Sequence, residues 1–587
     1  MPQEAVCSFA RSRPPHGRHQ YLRLVESVRE GKKVKQRVVA HLGRKDQLAP
    51  HLDALIRLLQ DETQAPRWVP IQDVSAPRAS TWGPILVTRH LFHHLSLGTI
   101  LDGERPLRRH GQLLSERIFP LLANRLTHPG SEHALAQWLE DYFVCNAEGS
   151  RWMPVWKQSR RVKVDFEQLR LWYQSLDDLR AQKARIEKQV FLELRNLFSL
   201  RPDLVFYDIT STFFEGAGPT ELGRFGYSRD GKPRNRQIVI GVVMMDGWPI
   251  AHHVFAGNRL DQTTVHEVVQ DLNQRFQLER VVFVGDRGMM TMGTVKQLRE
   301  RQQGYLLGLQ RRNRKDTFDY IQQAETRRDW QLCPGGITAG EKAVVPQTRV
   351  MEVAGKEAGV RVLVVHSEER ELYERSMREL AMGRVRKELE ALTAQVDKGE
   401  LKEPDKIGAA AAHKLSRHHG HRYFAWELQH GKFRFFEHPL HLTREKALEG
   451  KYVIQTEEQN LSALEVVARY KELNEVERGF AHLKGLLELR PIYHHSDERV
   501  QAHVFVAALA LLLDRALEKQ LRAAGSPLSS PFAWQALETI RCVELDLGSR
   551  RKLCVTRGNQ NAQQVLRILG ITQLDPPTPE KGLESLM

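Results

Sequence analysis

The chain of 587 residues carries 87 Lys and Arg against 72 Asp and Glu, a formal net charge of +15, with 41% hydrophobic residues. This composition excludes a wholly disordered, collagenous or disulfide-scaffold protein. The basic surplus favours a polyanionic partner, either nucleic acid or an anionic membrane surface.

Membrane, disulfide and nucleotide-dependent classes are disfavoured by the sequence. The longest apolar run, Val504 to Leu513, is about half of the ~20 residues that a spanning helix needs, and the start has no hydrophobic signal core. Five scattered cysteines without a C-x-x-C spacing fit a reducing cytosol. Because there is no G-x-x-x-x-G-K-[ST] motif, we expect no nucleotide cofactor. The short apolar run predicts no membrane partner, and the cysteine pattern predicts a cytoplasmic location.

The first 50 residues hold nearly half of the excess charge. They contain 11 Lys/Arg and 4 Asp/Glu, a net charge of +7. YLRLVESVR and KKVKQRVVAHLG read as two strands around a Glu30-Gly31-Lys32 turn, so 1–50 is predicted to be a basic β-hairpin. Its candidate DNA contacts are Lys32, Lys33 and Lys35; the alternative is a solvated hairpin packed on the next domain.

Residues 51–195 have apolar residues at three- and four-residue spacing and predict a helical N-terminal domain. Within 196–310 the period changes to three strands, helix, strand, helix, strand, which is an α/β order. The irregular segment 311–455 is predicted to be an inserted subdomain around one long charged helix. A helix follows in 456–525, and 526–587 forms a C-terminal region that is a candidate for dimerisation.

Two aspartates stand at strand positions suited to metal chemistry. Asp208 lies inside the apolar strand LVFYDIT, where a charge is costly unless it is paired or bound to a metal. Asp286 directly follows VVFVG, and ligands collect at the carboxyl ends of strands in α/β folds. Two such carboxylates suit a pair of Mg²⁺ or Mn²⁺ ions acting on a phosphodiester. Each aspartate alone also fits a loop or helix cap.

A third carboxylate is chosen by helical geometry. Around residue 475, one apolar stripe is formed at three- and four-residue steps by Leu473, Val476, Phe480, Leu483 and Leu487. At about 100° per residue, Tyr470, Glu477 and Lys484 lie within roughly 40° of one another at its edge, whereas Glu475 points away and is expected to be solvated. Glu477 is therefore the candidate ligand and Lys484 a candidate phosphate contact.

A basic segment follows the first aspartate strand. GRFGYSRDGKPRNRQ (223–237) places Phe225 and Tyr227 among cations, a composition suited to phosphate contact and base stacking. Its candidate DNA contacts are Arg224, Lys232, Arg234 and Arg236. Thr210, Ser211 and Arg287, which follow the two aspartates, are further candidates. A mobile surface loop is the alternative interpretation of 223–237.

These residues bring out a family resemblance. Tyr470, Glu477 and Lys484 match Y-x2-R-x3-E-x6-K, so the chain resembles the DDE transposases of bacterial insertion sequences, in the group named after insertion sequence four. YDITSTFFEG, GDRGM, LRPIYHH and AHVFVAALAL belong to the matching context, which runs from YLRLVESVREGKKVKQRVVAHLG to about residue 520. The arginine of the signature is Leu473 here.

The resemblance implies a ribonuclease-H-like mixed-sheet core with a mainly β insertion. Asp208, Asp286 and Glu477 would be the catalytic and metal-binding triad, and Tyr470 and Lys484 would contact DNA. Relatives cut double-stranded DNA at transposon ends and join the 3′-hydroxyl to target DNA as dimers on paired ends. A nucleoid-associated bacterial enzyme is therefore expected. The alternatives are a non-catalytic DNA-binding descendant, favoured by Leu473, and a ribonuclease-H-like nuclease without strand transfer.

Overall fold

The structure is a computed structural model that describes most of the chain. The described residues are 6–12, 20–30, 33–52, 54–55, 74–146, 148–155, 157–159, 162–198, 200, 204–278, 280–285, 292–311, 315–327, 329–334, 347–547 and 551–577. They divide into two compact units, one comprising 1–78 with 544–553 and the other 79–543 with 554–587.

The smaller unit is built on an antiparallel sheet of three strands. These are β1 (Val6–Ser12), β2 (Tyr21–Glu30) and β3 (Lys33–Arg44), in the order β1-β2-β3. The β2–β3 pair occupies the segment where two strands were predicted, and Val25 on β2 is 3% exposed. A short helix, Lys45–Leu48, follows and leads into a 3-10 turn, Ala49–His51.

The sequence positions that divide the two units fall within three strands: β4 (Ser75–Thr81), β18 (Arg541–Asp546) and β19 (Arg551–Val555). Short strands β5 (Lys157–Ser159) and β6 (Val162–Val164) form a separate antiparallel pair in the larger unit. The helices before residue 200 in that unit are Gly83–His94, Leu97–Asp102, Leu114–Thr127, Glu132–Asp141, Phe166–Ala181 and Lys183–Phe198.

The larger unit is organised around a mixed sheet of nine strands. They are β7 (Leu204–Phe213), β8 (Gln237–Met245), β9 (Trp248–Ala256), β10 (Val282–Gly285), β11 (Gly304–Gly308), β12 (Gln331–Leu332), β13 (Thr348–Val353), β14 (Arg361–Ser367) and β17 (Lys451–Thr456). The strand order is β12-β13-β14-β17-β11-β10-β7-β8-β9. β8 runs antiparallel to both of its neighbours, β7 and β9, whereas β7, β10 and β11 run parallel.

Helices connect and cover these strands. Asp261–Phe276 and Met292–Glu300 follow β9 and β10, and Lys315–Thr326 follows β11. The central strands are rich in Val, Ile and aromatic residues because both of their faces are buried. The mixed α/β class that the sequence predicts is thereby confirmed for the described residues.

The described part of 311–455 differs from the predicted mainly β insertion. Its longest element is the helix Glu368–Asp397, called the long helix below, and the helices Pro404–Arg417 and Pro439–Leu448 follow it. β13, β14 and β17 extend the central sheet, and only β15 (Phe424–Gln429) and β16 (Lys432–Glu437) form a separate hairpin. The long charged helix agrees with the sequence analysis, whereas the mainly β content was implied by the family resemblance alone. Its run of charged, helix-forming residues favours a helix over strands in this chain.

Three helices after β17 complete the core. Ala463–Lys471 begins at a capping box between Ser462 and Glu465, and Leu473–Lys484, the signature helix, follows it directly. The central helix, Asp497–Ala523, contacts β9 and several helices of the N-terminal part. Helices Ser530–Leu537 and Gln560–Ile568 follow.

The central helix contains the apolar run noted in the sequence. Among the described residues it is the one helix with the length and composition of a membrane span, yet 89% of its most apolar window is buried inside the protein. It is thus the core helix of this unit.

A buried ionic cluster covers strand β9 at the edge of the sheet. Glu187 accepts hydrogen bonds from the backbone N–H of His252 (3.0 Å) and from its Nδ1 (2.7 Å). Lys183 donates to Glu187 at 2.7 Å, and Arg275 also donates. Burial alone would raise the pKa of Glu187, but Lys183, His252 and Arg275 hold it well below its usual range.

The buried His252 in this cluster should make the stability of the fold depend on pH. Burial lowers the pKa of His252 to about 4, whereas an unfolded histidine titrates near ~6.5. Between these values the unfolded chain binds one more proton, so we expect stability to fall by about 1.4 kcal/mol per pH unit on acidification. Full His252 stabilisation is present above pH ~6.5 and is lost as the pH falls towards 4.

The measurement is the pH dependence of the unfolding free energy for the wild type and for His252→Asn, whose amide still donates to Glu187. We expect the slope between pH 6 and 4.5 to drop by about one proton in the variant. Equal slopes in the two proteins would contradict the assignment. His495→Asn, at an exposed histidine, is the matched control.

Candidate active site

The alternation along β7 places Asp208 on one defined face of the sheet. Tyr207 points to the opposite face, where its hydroxyl donates to Thr264 at 2.9 Å. Asp208 pairs in register with Val242 and is the one half-buried residue of a strand that is otherwise buried. Its Oδ1 accepts a hydrogen bond from the backbone N–H of Ile209 at 2.7 Å.

The signature helix covers the face of the sheet that carries Asp208. Gly479 faces this surface, because a Cβ at this position would lie 3.4 Å from Met244 Sδ. Met244 pairs with Phe206, two residues before Asp208 and therefore on its face. The helix also contacts β7 directly. The predicted apolar stripe is confirmed, since Leu473, Val476, Phe480, Leu483 and Leu487 are each at most 8% exposed.

Glu477 lies on the signature helix outside the buried stripe and is exposed. The structure thus places Asp208 and the helix that carries Glu477 on one side of the sheet. Asp286 and Arg287 lie outside the described residues; the parallel strand β10 ends at Gly285, immediately before them in sequence. Register pairs Val284 of β10 with Phe206 of β7.

The sequence analysis assumed one continuous helix over Tyr470, Glu477 and Lys484. In the structure, Tyr470 lies on the preceding helix. The helix Ala463–Lys471 ends at Glu472, and the signature helix begins at the next residue. Tyr470 ends the preceding helix, where its hydroxyl packs on Gly308 of β11 and its ring stacks on Tyr452 at 5.8 Å. A side chain larger than hydrogen at residue 308 would collide with this tyrosine.

Lys484 is held by a carboxylate that the sequence analysis missed. Its Nζ donates to Asp230 Oδ1 at 2.9 Å, and Arg490 pairs with the same oxygen. The Asp230 side chain is 3% exposed, and its Oδ2 makes no hydrogen bond among the described residues. Burial lowers the pKa of Lys484, and the Asp230 carboxylate opposes that shift. In the sequence, Asp230 could have been noticed as the single acidic residue within the basic segment 223–237.

The segment 223–237 presents aromatic rings and cations together. Phe225 and Tyr227 are 62% and 78% exposed. The guanidinium of Arg236 lies 5.9 Å from the Phe225 ring, and that of Arg229 lies 5.6 Å from the Tyr227 ring. Of the predicted DNA contacts in this segment, Arg224, Lys232 and Arg234 are exposed. Arg236 is half-buried.

Other predicted contacts have different surroundings. Thr210 is 4% exposed and Ser211 is fully buried, with its Oγ accepting from the backbone N–H of Arg229 at 2.9 Å. Ser211 therefore holds the middle of the basic segment in place. In the smaller unit, Lys33 and Lys35 lie on β3, with Lys35 exposed; Lys32 lies outside the described residues.

Leu473, which stands at the arginine position of the signature, and the charged residues next to it stabilise the fold. Leu473 is 6% exposed and belongs to the buried stripe. Glu475 was expected to be solvated, but its Oε1 accepts from Arg522 at 3.1 Å and its Oε2 from Arg515 at 3.3 Å. Arg478 pairs with Glu475, so it is committed to this ion network.

A second group of titratable residues lies among the helices. Glu132, His494 and His503 are buried, and one potential ligand atom from each lies within 4.8 Å of the others. Burial would raise the pKa of Glu132, but hydrogen bonding to His494 lowers it to about 2. The Nδ1 of His503 faces Arg125 at 3.5 Å and its Nε2 faces the Leu489 carbonyl at 3.4 Å. The adjacent buried guanidinium disfavours a cation here.

Comparisons with known proteins agree with this arrangement. A family model described as the transposase DDE domain matches residues 201–513, more than half of the chain. The chain therefore belongs to the DDE transposases, a family of enzymes that cut and join DNA. A second model, the N-terminal domain of IS1634 family transposases, matches residues 10–68 and places the chain among transposases of insertion sequences. No curated protein matches the chain significantly.

The predicted family and its DNA substrate are confirmed by these matches. Placement in the group named after insertion sequence four stays a prediction. The first match spans Asp208 and Glu477, together with the sequence position of Asp286.

Proposed function

We propose that this transposase cleaves DNA at the ends of its insertion sequence and joins the freed 3′-hydroxyl to target DNA. Asp208, Asp286 and Glu477 would hold two divalent cations, Mg²⁺ or Mn²⁺. The observation that carries the proposal is the half-buried carboxylate of Asp208 within a buried strand, on the face covered by the helix bearing Glu477.

The strand order supports a ribonuclease-H-like core. Three antiparallel strands, β7 to β9, are followed by two strands parallel to β7, and these five are adjacent in the order β11-β10-β7-β8-β9. In this arrangement Asp208 lies on the middle strand, and the chain leaves the neighbouring parallel strand β10 just before Asp286.

The residues fit a divalent metal by their chemistry. Carboxylate oxygens are the ligands that Mg²⁺ and Mn²⁺ prefer, and a carboxylate in an apolar strand is stabilised by a cation. When bound, such ions activate an attacking oxygen and stabilise the charge on a phosphodiester. The protein's own part is to hold the carboxylates on a rigid sheet and helix.

Positively charged groups around this face would orient the DNA backbone. Lys484 and Arg490 share Asp230, so a phosphate that displaces or joins this carboxylate gains two cationic contacts. The exposed rings of Phe225 and Tyr227 offer stacking surfaces for unpaired bases. The basic strands of the smaller unit would recognise element ends, and the active assembly would be a homodimer on paired ends in the bacterial cytoplasm.

A strand-joining assay tests the proposal. Purified protein is incubated with a duplex bearing the terminal repeats, a target plasmid and Mg²⁺ or Mn²⁺, with EDTA as the negative control. We expect nicked ends and joined products that require the cation. Cleavage without joining would favour a nuclease, and binding without cleavage in either metal would favour the non-catalytic descendant.

Lys484 should contribute to DNA affinity through one phosphate contact. We expect Lys484→Ala to weaken binding to all sequences and to reduce the slope of log K against log salt by about one. Fluorescence anisotropy between 50 and 300 mM salt measures this slope. Lys406→Ala, at an exposed lysine paired with Glu403, is the control and should leave the slope unchanged. An unchanged slope in Lys484→Ala would remove this residue from the interface.

A further inference from the structure

The long helix, Glu368–Asp397, has two apolar faces, and the described residues form a core against one of them. Its C-terminal half contributes five residues to a small core shared with β15, β16 and the helix Pro404–Arg417: Met382, Val385, Leu389, Leu392 and Val396. At about 100° per residue these five lie within roughly 80° of one another. They anchor the C-terminal half of the long helix in this core.

The second apolar face is left largely uncovered by the described part of the chain. Leu372, Tyr373, Met377 and Leu380 are 58%, 65%, 49% and 58% exposed, and we call them the open stripe. They fall within roughly 140° of one another, centred about 170° from the packed face. Single exposed apolar residues are common on protein surfaces, but a contiguous stripe of large ones marks an interaction site.

The charges at the ends of the open stripe indicate what covers it. Glu369 lies just before the stripe and Arg384 just after it, both exposed, and neither forms an ion pair with any described residue. They are about 22 Å apart along the helix axis at 1.5 Å per residue. An acid at one end and a base at the other make the stripe complementary to itself in the antiparallel direction.

We propose that the open stripe is an interface with a second copy of this chain, formed by two long helices packed antiparallel about a two-fold axis between Ser376 and Met377. This register sets Tyr373 against Leu380 and Glu369 against Arg384, once at each end, as an isologous contact requires. A parallel pair would oppose Glu369 to Glu369 and Arg384 to Arg384, so like charges disfavour it. Antiparallel helix dipoles add to the preference.

The small area that this contact would bury indicates a weak dimer. Two helices meeting over about four turns bury on the order of 1,000 Å² in total, near the lower limit of specific interfaces. We therefore expect self-association of the free protein in the micromolar range.

Sedimentation velocity of the nuclease-treated full chain, from 0.5 to 50 µM and without DNA, tests the interface. We expect a concentration-dependent dimer whose dissociation constant rises at least tenfold in Leu380→Glu. Leu440→Glu, at a leucine that is 77% exposed on another helix, is the matched control and should leave the dimer unchanged.

A charge exchange identifies the register. Glu369→Arg and Arg384→Glu should each weaken the dimer about tenfold, because each single variant opposes like charges at both ends. The combined variant should restore the wild-type constant within about threefold. A wild-type monomer at all concentrations, a dimer insensitive to Leu380→Glu, or a combined variant as weak as the single ones would each overturn the proposal.

The expected dimer on paired DNA ends motivates the choice of a self-partner, but the test is separate from DNA chemistry. Failure of self-association would leave strand cleavage by Asp208 and Glu477 untouched. Failure of cleavage in the joining assay would leave the open stripe and its dimer unchanged.

Discussion

Asp208→Asn and Glu477→Gln are each expected to reduce strand joining at least ~10³-fold while leaving DNA binding within about threefold of wild type. Each substitution removes one anionic metal ligand with almost no change in volume, so the effect falls on chemistry and not on folding. Asp286→Asn should behave in the same way if it completes the set.

Glu475→Gln is the matched control on the same helix. Its carboxylate bonds to Arg515 and Arg522, on the side of the signature helix away from the proposed metal ligands. We expect it to keep joining activity within about fivefold of wild type. Joining that survives Glu477→Gln, or that is lost equally in Glu475→Gln, would contradict the assignment of Glu477. Gel assays of nicked and joined products, with thermal unfolding of each variant, provide the measurement.

The second large effect is expected at Asp514, which ties three helices together. Asp514 is fully buried on the central helix; its Oδ2 accepts from His482 Nδ1 at 2.6 Å and its Oδ1 from Trp534 Nε1 at 3.0 Å. Asp514→Ala removes the acceptor of the buried Trp534 indole and of the partly buried His482 ring, which costs about 3 kcal/mol. Because the entropy of unfolding grows with chain length, we expect the unfolding midpoint of the larger unit to fall by about 3 °C.

Glu498→Ala is the control for that prediction, since Glu498 is an exposed acid in the first turn of the same helix. Its effect should stay within about 0.5 kcal/mol. Differential scanning calorimetry of both variants gives the two midpoints. Equal midpoints in Asp514→Ala and wild type would show that these hydrogen bonds do not stabilise the fold. Because His482 lies on the signature helix, Asp514→Ala should also lower joining activity.

The periodicity of the sequence was enough to predict the strands and the helix that carry the candidate site. Alternating β-branched and aromatic residues located β7 and β8, and three- and four-residue spacing located the buried stripe from Leu473 to Leu487. These features depend on residues close in sequence, so periodicity alone identifies them.

Features that depend on long-range contacts were out of reach. Asp230 meets Lys484 across 254 residues, and Glu475 meets Arg515 across 40. Neither pair leaves a periodic trace, so Asp230 was missed and Glu475 was predicted to be solvated. The interruption at Glu472 was also missed, because Y-x2-R-x3-E-x6-K fits an unbroken helix as well as a broken one.

The way β9 is covered has a consequence for the behaviour of the protein at high concentration. An uncovered edge strand offers its N–H and C=O groups to any extended chain and is a common start of aggregation. The Glu187 carboxylate occupies the N–H of His252, and the opposite edge strand, β12, is only two residues long. Among the described residues, one edge of the nine-stranded sheet thus has an occupied N–H in the middle of its strand, and the other edge ends in a strand of two residues. Replacing Glu187 would therefore expose a route to intermolecular pairing as well as a stability defect.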